Sequence, residues 1–220
     1  MSKSTERAVV GPPAPTPARR RDALGSAVVL EVVSLGYNVL EAGVGIVAGI
    51  AAGSVALFGF GLDAVVESAS AGVLIWRLGT ERRGRRTAEE AERRAIRLVA
   101  IAFFALAAYV GGRAIVDLIA ASRPEESTVG LVLAVVSLIV MPALARAKRR
   151  AARELDSRSL QADSAQTMLC TYMSAVLLAG LAANAALDWW WADPVAALGI
   201  AVLAAREGRE LWVTEDFCCA

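Results

Sequence analysis

Phe58-Gly-Phe-Gly-Leu-Asp-Ala-Val-Val-Glu-Ser-Ala-Ser70 is the stretch that decides the fold. It lies inside an apolar run, residues 55–78, and about 20 such residues are enough to cross a bilayer as a helix. Two acids, Asp63 and Glu67, stand near the middle of the run. Four residues apart on a helix, they project from one face, one turn above the other. A carboxylate facing lipid at the bilayer centre costs about 3 kcal/mol or more. A pair that faces inward and shares a ligand is cheaper, and a divalent cation is the ligand two adjacent carboxylates suit.

The rest of the composition agrees with a membrane protein. Of the 220 residues, 56% are hydrophobic and mean hydropathy is +0.52, which few soluble domains reach. Lys and Arg number 23 against 22 Asp and Glu, a balance that gives nucleic acid no purchase. The chain has no His, so a metal site must use carboxylate, amide, hydroxyl or thiolate. No nucleophile–base constellation or phosphate loop is present, which argues against an enzyme. Cys170, Cys218 and Cys219 form no disulfide framework.

Residues 1–24 are polar, rich in Pro, Ala and Arg, and read as a disordered cytoplasmic tail rather than a signal peptide. Residues 25–213 hold six apolar runs, and 214–220 form a short second tail. The runs predict helices at 26–50, 55–78, 98–120, 128–145, 160–187 and 194–213. The first carries Glu31, Asn38 and Glu41 near one face; Glu31 reads as snorkelling at an interface, whereas Glu41 lies deeper. The second has Gly59 and Gly61 for close helix contact. On the third, Arg113 and Asp117 are spaced as an ion pair. The fifth places Asp163, Gln166 and Cys170 on one face. Trp189 to Trp191 read as an interfacial anchor. Asp193-Pro194 reads as a helix start, with Asp193 the N-cap.

Basic residues cluster before the first helix, at Arg82 to Arg86, at Arg146 to Arg153, and at Arg206 and Arg209. The connections after helices 1, 3 and 5 are poor in them. The positive-inside rule therefore predicts a six-helix all-α bundle with both termini cytoplasmic.

Placing Ser54 over Ser157 brings Leu57 onto Leu160, Asp63 onto Gln166 and Glu67 onto Cys170. Helices 2 and 5 run in opposite directions in this topology, so the segments form candidate inverted elements that meet at the midplane. A Ser-x-x-Leu followed by a polar pair four apart, in both halves of six helices, resembles the cation diffusion facilitator family. The resemblance covers residues 25–213, the transmembrane domain only, without the cytoplasmic C-terminal domain through which members dimerise. Asn38, Asp163 and Asp193-Pro194 also look like family features. The helix 5 pair departs from the family: Gln166 and Cys170 stand where His and Asp are usual.

The resemblance implies one divalent metal held by Asp63, Glu67, Gln166 and Cys170. Asp163, Asn38 and Glu41 would receive the ion or orient its ligands. Two carboxylates, a thiolate and an amide suit zinc or cadmium better than magnesium or calcium. A lone Cys such as Cys170 is otherwise a small packing residue. The implied activity is secondary transport of a divalent transition metal, zinc first, by proton antiport. No cofactor beyond the transported ion is expected. The protein would be a multi-pass resident of the cell (inner) membrane, a homodimer in keeping with the family. The alternative class is a non-transporting membrane sensor or metal-binding subunit.

Overall fold

Each apolar run is one continuous helix. The computed structural model describes residues 17–82 and 89–217, which form α1 (Pro17–Ala52), α2 (Val55–Arg82), α3 (Glu89–Ala120), α4 (Thr128–Leu155), α5 (Arg158–Leu187) and α6 (Ala192–Phe217). Several helices outrun their apolar cores. α1 has 36 residues, roughly 54 Å, against a hydrocarbon core of about 30 Å. Residues 17–24, expected in the tail, are therefore its first turns, and Leu24 is buried. The basic segment Arg146 to Arg153 is not a connection but the last turns of α4. Residues 214–217 prolong α6 rather than form a tail. Residues 1–16, Arg83 to Arg86, and Cys218 and Cys219 lie outside the described residues.

The turns explain the repeat. Between α1 and α2 stand only Gly53 and Ser54; Gly53 has φ +63°, open to glycine at no steric cost. The Ser54 hydroxyl caps α2, accepting from the Leu57 N–H at 3.0 Å. Between α4 and α5 stand Asp156 and Ser157, and the Ser157 hydroxyl accepts from the Leu160 N–H at 3.4 Å. Leu57 and Leu160 are both fully buried. The Ser-x-x-Leu unit is thus a capped helix start with its first buried side chain, used twice. Asp193 departs from its expected role. α6 begins at Ala192, two residues before the expected start, and the Asp193 carboxylate reaches across to α2, accepting from Ser54 Oγ at 2.5 Å and the Val55 N–H at 3.0 Å.

The helices associate as three antiparallel pairs, α1 with α2, α3 with α6 and α4 with α5. α1, α2, α4 and α5 surround the interior, and the α3–α6 pair leans on α2 and α5. α1 and α2 meet backbone to backbone: a Cβ on Gly61 would come within 2.6 Å of the Ile46 nitrogen. Gly59 faces Val110 of α3 instead. Arg113 and Asp117 form the expected ion pair at 3.1 Å. Trp189 and Trp191 stack at 5.1 Å with exposed rings, as an interfacial anchor requires.

Burial is inverted relative to a water-soluble bundle. Ile119, Ile139 and Val47 are exposed while Glu31 and Glu41 are completely buried. Among the described residues, five helices are long and apolar enough to cross a membrane. In α6 the uncharged stretch is only 194–205; Asp193 before it and Glu207, just beyond the exposed Arg206, are tucked into the bundle. Partnership with α3 compensates for its lower apolarity.

Candidate metal centre

Three polar stripes and one mixed face converge in the interior. On α1, Glu31, Ser34, Asn38 and Glu41 follow spacings of three, four and three, which keep one face, and all four are buried. α2 contributes Asp63, Glu67 and Ser70; α5 contributes Asp163, Gln166 and Cys170. On α4, Ser137, Met141, Ala145, Lys148, Ala152 and Leu155 form one buried face.

Glu41, Glu67 and Cys170 come together where these faces meet. One carboxylate oxygen from each acid and the Cys170 sulfur lie within 4.8 Å of one another. Glu41 and Glu67 stand about 17 Å along their helices from the α1–α2 turn, near the middle of a bilayer core. One Glu41 oxygen accepts from the Ser137 hydroxyl, which also bonds the Tyr37 hydroxyl at 2.9 Å. The other Glu41 oxygen and Oε2 of Glu67 are buried without a hydrogen-bond partner. Buried polar atoms left unpaired are few in native proteins, and each calls for a missing partner or ion.

The remaining expected residues surround this trio. Asp63 is buried one turn towards the α1–α2 turn. Gln166 lies one turn the other way. Its Oε1 accepts from Ser70 Oγ at 3.3 Å and its Nε2 has no partner. Asn38 is buried with Oδ1 unpaired. The geometry thus raises Glu41 into the central trio, while Asp63 and Gln166 flank it.

Glu31 does not snorkel. It is completely buried, and its carboxylate meets the Lys148 ammonium at 3.1 Å. Lys148 also donates to Asp163 Oδ2 at 2.5 Å. This ion triad links α1, α4 and α5, and sequence reasoning missed it by counting Lys148 among the exposed bases. The α4 periodicity was the available signal. Arg146, Arg149, Arg150 and Arg153 are exposed, whereas Lys148 falls on the buried face.

The architecture and the interior define a polytopic helical membrane protein with an acid–thiol centre at mid-depth. Residues 32–214 match the cation efflux transmembrane domain, so the chain belongs to that family. No curated protein matches the sequence.

Proposed function

We propose that the protein carries a divalent transition metal, zinc before the others, across the membrane in exchange for protons. The observation that carries this reading is the Glu41–Glu67–Cys170 trio with its unpaired oxygens. In a tetrahedral zinc site, with Zn–O near 2.0 Å and Zn–S near 2.3 Å, ligand atoms stand roughly 3.5 Å apart. Small side-chain movements close 4.8 Å to that spacing. Asp63 is the proposed fourth ligand, and Gln166 the group that passes the ion in. The thiolate favours zinc or cadmium over harder ions.

Exchange follows from charge. A dication offsets two of the site's four acidic groups while the others keep protons; when it leaves, protons take its place on those two, so loading expels them. The centre is buried, so the ion gains access only when the helix pairs move, which is the alternating-access plan of inverted repeats. The distribution of Lys and Arg supports a cytoplasmic Arg77–Ser159 end of the bundle, and exchange against an inward proton gradient runs as efflux from the cell. Metal uptake by purified protein in liposomes, with and without a pH gradient, tests the reading. Uptake that follows the gradient and fails in Glu67→Gln is expected. Stoichiometric binding with no flux in either condition would instead identify a metal-holding subunit.

A further inference from the structure

Lys148 is the single base buried among the described residues, and it is paired with the buried acids Glu31 and Asp163. The exchange cycle above does not use it. We propose that Glu31 and Asp163 form a second cation position on the transport route, and that Lys148 fills it as a tethered cation which the travelling metal displaces. This rests on the reading of the chain as a cation carrier.

Three observations support it. First, the position already holds a cation: oxygens of Asp163 and Glu31 converge on one nitrogen at 2.5 and 3.1 Å, on side chains exposed by 9% or less. Second, unpaired oxygens lead from it to the centre. Ser34 Oγ and Asn38 Oδ1 lie on the α1 face between Glu31 and Glu41, both buried, neither with a hydrogen-bond partner. They form steps about 5 Å apart along the helix, in a place where orphaned acceptors are otherwise costly. Third, Asp163 faces two ways. Besides Lys148 it lines a cavity of about 90 Å³ with Ser70, Arg77, Ser159 and Gln166, and Arg77 bonds Ser159 there. The direct way from the same end between α1, α2, α4 and α5 is stopped by an apolar cluster of Leu24, Leu74, Leu78, Leu155 and Leu160. An ion in the cavity therefore meets Asp163, and takes it only if the ammonium lets go. The flexible four-carbon stem allows that release.

The test counts bound cadmium per chain by equilibrium dialysis of the detergent-purified full chain. Lys148→Gln frees both carboxylates, and the count is expected to rise by one over the wild type. Adding Asp163→Asn to Lys148→Gln is expected to bring it back. An unchanged count in folded Lys148→Gln overturns the proposal. The gain is counted against the wild type, so it is readable whatever the central trio binds; a wild type that binds no cadmium defeats the functional reading separately. Should Lys148→Gln not fold, Asp163→Asn alone decides, since it leaves the Lys148–Glu31 pair balanced. Cadmium loading is then expected to slow by about tenfold or more at the wild-type count, and an unaltered loading rate overturns the proposal.

Discussion

At the scale of single residues, the chemistry rests on where charge is left unbalanced. Glu41→Gln and Glu67→Gln each remove a charge that offsets the dication, so metal flux in liposomes should fall by more than about tenfold, a loss seen even when only a ligand's orienting group is removed. Thermal stability should hold or rise, because a neutral amide is cheaper than a carboxylate inside a bundle. Full zinc flux in Glu67→Gln would remove the core of the reading. Cys170→Ser replaces a soft ligand by a hard one and should reduce zinc and cadmium flux more than manganese flux; equal loss for all three ions would make Cys170 a packing residue only. Much of this was legible. Asp63 and Glu67 stand out because acids four apart in an apolar run have few other uses. Glu41 was visible as a deep acid, but its rank in the trio was not, since which α1 residue meets Glu67 and Cys170 depends on how α1 and α4 pack. Lys148 was hidden by its exposed neighbours, and only the period of α4 separates it from them.

At the scale of elements, the caps carry the testable content. Ser54 and Ser157 each cap a helix, but Ser54 also donates to Asp193 and is buried, whereas Ser157 is half-buried. Ser54→Ala removes the cap and leaves the Asp193 carboxylate short of a donor, so it should cost more than the roughly 1 kcal/mol typical of a lost N-cap. Ser157→Ala should cost about that or less. Thermal unfolding of the two variants in one detergent gives the comparison, and a larger loss for Ser157→Ala would contradict the shared Ser54–Asp193 cap. The repeat was legible as a pattern before it had a physical meaning. Helix number and order were legible because each run is bounded by Gly, Pro or charge. The ends of α1, α4 and α6 were not, because a helix already nucleated continues past the apolar segment into residues of good helix propensity.

At the scale of the whole molecule, six antiparallel helices put the start of α1 and the end of α6 at one end of the bundle, with the α2–α3 and α4–α5 connections. That end carries exposed Arg146, Arg149, Arg150 and Arg153, while the opposite end has the exposed Trp189–Trp191 stack and the Ser54–Asp193 cap. The α3–α4 connection at that opposite end holds Arg123 as its only base. Charge bias of this size sets orientation in the membrane, so the arginine-rich end should lie in the cytoplasm. Single cysteines at Arg153 and Glu126, both exposed, report the two ends when Cys218 and Cys219 are replaced by Ser; Cys170 is buried and should not react. In intact cells a membrane-impermeant maleimide should label Glu126→Cys, and should label Arg153→Cys only after the membrane is opened. Labelling of both from outside would break the six-crossing arrangement. The reverse pattern would keep the bundle and turn it over, and an inward proton gradient would still drive metal out, because exchange runs down that gradient whichever way the carrier faces.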